Sequence, residues 1–164
     1  MARTGRSRAL KAPFSIRAAT AHDRDFVEDL GLRTIASSAS RVRGGDPADL
    51  RVSYARLLEF LFKQSHVLLV AVAAEERLGF LVMLDDLPDE VTGAPQAFVA
   101  YMAVEPNARR LRVASALLER AEQLAREKGL PSIALMVTEE NRAARELYAR
   151  TGFVTERRLL AKIL

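Results

Sequence analysis

The stretch AFVAYMAVEPNARRLRVASALLERAEQLAREKG, residues 97–129, changes its period halfway along. Ala97 to Val104 is a continuous apolar run of the kind a buried strand needs, and Pro106 stops it because proline donates no ladder hydrogen bond. From Arg109 to Lys128 the apolar residues return at helical spacing, as Val113, Leu117, Ala121 and Leu124, with Leu118 and Ala125 alongside. Gly129 stands where a helix end favours a left-handed residue. A short apolar run, Ile133 to Val137, follows. Strand, helix, strand in this order means two parallel strands joined by a right-handed crossover.

The rest of the chain is arranged around that unit. Upstream, Val67–Val72 and Gly79–Leu84 are apolar runs separated by Glu75, Glu76 and Arg77, which predicts a hairpin of two well-buried antiparallel strands. Asp85 to Pro95, with two prolines and a glycine, reads as an exposed connection. Phe14-Ser15-Ile16-Arg17 alternates as a half-buried strand does, and Thr20 with Asp23 supplies helix-start chemistry ahead of Phe26, Val27 and Leu30. Gly44-Gly45 marks a loop between Ser37 and Pro47, and Tyr54, Leu57, Leu58 and Leu61 predict a second helix over 50–62. Downstream, residues 141–150 read as a short helix stopped by Gly152, and 153–164 as a last extended stretch. The expected fold class is α/β: a mixed, mostly antiparallel central sheet of six to seven strands with helices on both faces, the fourth and fifth strands parallel. With no repeat and no long linker, residues 14–164 are expected to form a single domain, preceded by a flexible basic tail, residues 1–13.

Composition excludes several chemistries. The chain has no cysteine, and His22 and His66 are its only histidines, so thiolate chemistry is absent and an imidazole metal site is not expected. The net charge of +4 is matched by Arg3, Arg6, Arg8 and Lys11 alone, which leaves the remainder close to neutral. Acids are interspersed and aromatics few, so nucleic-acid binding is not expected. No apolar run reaches the roughly 18 residues a membrane span needs, and the opening lacks a signal-peptide core, so the expected location is the cytoplasm.

Position singles out the segment after Val104. A crossover helix starting just past a strand end presents unpaired N–H groups and the positive end of its dipole at the sheet's carboxyl edge, an anion site. Arg109, Arg110 and Arg112 add charge there, although RRLR also fits a plain solvated helix start.

Residues 104–118, VEPNARRLRVASALL, resemble the acyl-CoA-binding motif of the GNAT superfamily of N-acetyltransferases, whose core is Gln or Arg, two variable residues, Gly, one variable residue, then Gly or Ala. Arg109 fills the first place and Ala114 the last, while Arg112 stands where the family has glycine. Residues 141–153, NRAARELYARTGF, are similar to the family's closing motif without departure, and the opening IRAAT with Asp23 and the hairpin at Gly79-Phe80 extend the likeness from Phe14 to Phe153.

The resemblance implies acetyl transfer from acetyl-CoA, as co-substrate and without a metal, to a primary amine of a small molecule or protein. It implies a fourth strand splayed from the fifth, with pantetheine bonded to the backbone of Met102, Ala103 and Val104 and the pyrophosphate held by Arg109, Arg110, Leu111, Arg112, Val113, Ala114 and Ser115. Tyr148 would protonate the leaving thiolate, for which a phenol protonated at neutral pH is a suitable acid, or else serve as a core tyrosine. Asn141 would bond to pantetheine or cap its helix. Glu105 is the candidate base, with Glu139, Glu140 or a water chain as alternatives. Acceptor recognition would fall to residues 30–61, where Arg33, Arg41, Arg43 and Arg51 either meet an anion or are surface charge, and to the region after Phe153, whose sheet edge is open to a dimer contact. A non-catalytic acyl-CoA-binding sensor or assembly module of the same fold is the alternative, favoured if Arg112 crowds the pyrophosphate.

Overall fold

The computed structural model describes residues 13–164; the expected basic tail, through residue 12, lies outside the described residues. Five strands, β1 (Ser15–Ala18), β2 (His66–Ala73), β3 (Glu76–Leu84), β4 (Ala97–Val104) and β5 (Ile133–Leu135), form one sheet in chain order. The first four pair antiparallel, and β4 pairs with β5 in parallel. Helices α1 (Arg24–Thr34) and α2 (Pro47–Lys63) precede β2, α3 (Val113–Glu127) makes the crossover, and α4 (Arg142–Arg150) follows β5.

The two-residue period of the strands sorts their side chains onto two cores. Leu69, Leu81, Met83 and Val99 face α3, where they meet Val113, Leu117 and Ala121. Val70, Phe80, Val82 and Tyr101 face the other way, against Val27 and Leu30 of α1 and Tyr54 and Leu58 of α2. From Leu78 to Leu84 β3 is therefore buried on both faces, as its unbroken apolar run there requires. Gly79 sits where a Cβ would come within 2.7 Å of the Ala103 carbonyl oxygen, so the close approach of β3 to β4 depends on its missing side chain.

Among the described residues the sheet has five strands rather than six to seven. Residues 153–164 join no strand, and Val154, Leu159 and Leu160 are exposed. Two features oppose pairing: β5 spans only three residues, and Arg157 bonds instead to Asp89 and Glu90 in the β3–β4 connection. Two boundaries also move. α2 begins at Pro47, with the Asp46 carboxylate accepting from the Ala48 N–H at 2.8 Å, and α3 begins at Val113 rather than Arg109. Among the described residues no helix is long and apolar enough to cross a membrane.

Candidate active site

β4 opens away from β5 partway along its length. Only Ala97, Phe98 and Val99 pair with β5, opposite Ile133, Ala134 and Leu135. On the other side, Val82 pairs with Tyr101 and Met83 with Val99, so Ala100 forms a bulge in β4. A bulge bends its strand and strengthens the local twist, and beyond it residues 100–104 have no β5 partner. Met102, Ala103 and Val104 thus lie on an open strand edge inside the protein, with Met102 and Val104 half-buried.

The turn after β4 holds its shape without glycine. A short 3-10 turn, Pro106–Ala108, precedes Arg110 and Arg112, whose φ angles are 64° and 65°, both left-handed. Alternation of left-handed residues folds the backbone into a concave nest. The Leu111 N–H bonds to Ala108 and the Ala116 N–H to Arg112, while those of Val113, Ala114 and Ser115 have no backbone acceptor among the described residues. A cavity of about 240 Å³ beside α3 is bordered by Arg112, Ser115, Ala116, Glu119 and Phe14. Phe14 adjoins β1, the edge strand opposite β5, so Arg112 borders the side of α3 away from the β4–β5 opening. A left-handed non-glycine residue costs about 1–2 kcal/mol, partly offset by the flexibility glycine adds to the unfolded chain. Arg112→Gly is therefore expected to raise unfolding free energy by about 0.5–1 kcal/mol, read by urea denaturation.

At α4, both halves of the Asn141 amide are used. Its Oδ1 accepts from the Ala144 N–H at 3.2 Å, which caps the helix, and its Nδ2 donates to the Ser37 carbonyl at 3.3 Å. Thr138 donates to the Ser38 carbonyl at 2.6 Å, so the 3-10 turn after α1, Ile35–Ser38, is tied to the segment between β5 and α4. Tyr148 is half-buried, its ring edge-on to Phe153 at 5.7 Å between centroids. Burial pushes its phenol pKa up, and its hydroxyl makes no hydrogen bond among the described residues.

The carboxylates are committed. Both oxygens of Glu105 accept from Arg33, at 2.6 and 3.0 Å, and Arg33 also bonds Asp29. Glu105 first, then Asp29, raise the Arg33 pKa. Glu139 pairs with Arg145 at 2.9 Å, and Glu140 accepts the Arg41 N–H at 3.2 Å. His66 pairs with Leu84, and Leu84 with Phe98, at the end of the sheet far from Val104. His22 lies in the 3-10 turn ahead of α1, its carbonyl bonded by Arg77. Among the described residues no cluster of His, Cys, Asp and Glu could hold a metal ion.

Sequence reasoning did not single out Tyr101. Its hydroxyl lies 3.3 Å from Thr34 Oγ1, and its ring packs 5.1 Å from that of Tyr54, linking β4 to α1 and α2. A lone tyrosine in the otherwise aliphatic and phenylalanine-bearing AFVAYMAV was the available signal.

The Acetyltransferase (GNAT) family model matches residues 32–153. A solved structure from Pyrococcus furiosus, described as an acetyl transferase, is 25% identical with a TM-score of 0.79, over 93% of this chain and 100% of its own. A ribosomal-protein-alanine N-acetyltransferase from Brucella melitensis biovar Abortus 2308 shares the fold at 21% identity and TM-score 0.66, over 92% and 99%. AAC(6')-Iy, solved with a bisubstrate analogue built on CoA and acetylneamine, shares it at 20% and 0.65, over 93% and 99%. No curated protein sequence matches the chain.

Proposed function

Because the chain belongs to the Acetyltransferase (GNAT) family, we propose that it transfers an acetyl group from acetyl-CoA directly to a primary amine, with residues 14–164 acting as one catalytic domain. The observation that carries this reading is the open edge of β4 from Ala100 to Val104, leading straight into the left-handed turn at Arg110 and Arg112. An extended pantetheine fits beside Met102, Ala103 and Val104 as an added strand. The N–H groups of Arg112, Val113, Ala114 and Ser115 suit the pyrophosphate, with the Arg109 and Arg110 side chains and the Leu111 backbone completing the turn.

The amine nitrogen attacks the thioester carbonyl, the C–S bond breaks, and the sulfur takes the Tyr148 proton. A β4 N–H stabilises the carbonyl oxygen as it gains charge. The amine's proton leaves through water held against Glu105, since that carboxylate shares its charge with Arg33. Asn141 holds the α4 start beside the cleft and exchanges its bond to Ser37 for one to pantetheine.

Calorimetric titration with acetyl-CoA and with CoA is expected to show binding of each. Absence of binding overturns the assignment; binding without thiol release across a panel of amines supports the non-catalytic alternative instead.

A further inference from the structure

We infer that the acceptor amine carries an uncharged aliphatic side chain, seated in a cavity of about 180 Å³ between the turn after α1 and helix α2. The inference rests on the acetyltransferase reading and concerns the acceptor half of the same site. Ile35, Ala39, Leu50 and Leu57 supply its apolar walls, Tyr54 its floor, and Ser38 and Ser53 its only hydroxyl-bearing side chains besides Tyr54. None of these residues is charged.

Three contacts place the cavity at the end of the sheet where β4 and β5 separate. Tyr54 packs on Tyr101, the β4 residue next to Met102. The 3-10 turn forming one wall receives hydrogen bonds from Thr138, after β5, and from Asn141, at the start of α4. Arg33, at the end of α1, is bonded to Glu105 just past β4. An amine reaching the thioester beside Met102 therefore has this cavity within reach of the substituent on its α-carbon.

Charge decides against a polycationic acceptor. Such a ligand needs carboxylates at the cavity wall, and none lines it: Glu105 is paired with Arg33, Glu140 accepts the Arg41 N–H, Asp46 caps α2, and Asp49, beside Leu50, is exposed and outside the lining. Arg41, Arg43 and Arg51 outnumber Asp46 and Asp49 in the loop before and into α2, which leaves it net positive. A leucine-sized group fills an apolar cavity of this size and gains from leaving water, whereas a guanidinium placed there loses hydration with no partner.

Thiol release from acetyl-CoA is measured with glycinamide, leucinamide and argininamide, alongside calorimetric binding of acetyl-CoA alone. The expected result is a kcat/KM for leucinamide on the order of ten- to a hundredfold above each of the others. Ser53 is exposed on α2, and Ser53→Trp, which fills the cavity from that side, is expected to bring the leucinamide-to-glycinamide ratio close to one. Acetyl-CoA binding with no turnover of leucinamide, with equal turnover of all three amines, or with argininamide preferred overturns the inference while leaving the coenzyme site standing. Failure to bind acetyl-CoA overturns the acetyltransferase reading and removes the inference with it.

Discussion

Replacing Asp23 by alanine is expected to lower unfolding free energy by about 2–3 kcal/mol at neutral pH, placing it among the most damaging single changes in the chain. Its side chain is fully buried, yet five donor contacts converge on its carboxylate. Arg17 gives two, at 2.7 and 3.0 Å, Arg77 one at 2.7 Å, and Thr20 two, from its N–H at 2.7 Å and its hydroxyl at 3.1 Å. These bonds fix the entry of α1 against β1 and β3, and α1 carries Arg33 to Glu105. Breaking a buried pair costs about 3–5 kcal/mol; the two arginines are 39% and 36% exposed, which reduces the figure here.

The same carboxylate predicts an acid limb. Hydrogen bonds from Arg17 above all, with further bonds from Thr20 and Arg77, hold Asp23 well below the usual carboxylate range despite its burial. A pKa depressed by folding stabilises the native state above the unfolded value of about 3.9, and the contribution fades as pH falls below it. Urea midpoints followed from neutral pH to about pH 3 should therefore fall more steeply in the parent than in Asp23→Asn. Parallel curves, or an alanine variant as stable as the parent, would remove Asp23 from this role.

How far the sequence carried the fold depends on which property each element rests on. The crossover unit was legible because the period change at Pro106 and the apolar stripe of α3 are written in residue types alone. The α3 start was not, because Arg110 and Arg112 are good helix formers held in a conformation that a hydrophobic pattern does not encode. The last strand failed for a related reason. Residues 153–164 have the composition of an extended segment, but a strand needs a partner edge, and β5 ends after Leu135. At the site, the sequence left Asn141 between a pantetheine contact and a helix cap, and the structure shows the cap, made to the Ala144 N–H. The Arg33–Glu105 pair joins residues 72 apart, and the proposed acceptor cavity joins residues from the turn after α1, the following loop and α2. Neither leaves a local signature, since both exist only once the helices pack on the sheet.

Tyr148→Phe is expected to lower kcat by roughly 10²–10³-fold while leaving acetyl-CoA affinity unchanged, within the range that removal of a positioned general acid produces. The substitution keeps the ring, its edge-on contact with Phe153 and its place in the core beside Leu147, so the phenol hydroxyl is the only group lost. Burial raises the Tyr148 pKa, which keeps the acid protonated throughout the neutral range. The alkaline limb of kcat should accordingly lie above the ordinary tyrosine value of about 10. The hydroxyl has no hydrogen-bond acceptor among the described residues that would compete for its proton. If the variant turns over at the parent's rate, the leaving thiolate takes its proton from water and Tyr148 is a packing residue. If affinity for acetyl-CoA falls together with kcat, the hydroxyl binds the coenzyme in the ground state instead of acting on the sulfur as the C–S bond breaks. A lower kcat with an unchanged dissociation constant is the signature of a group needed only once that bond begins to break.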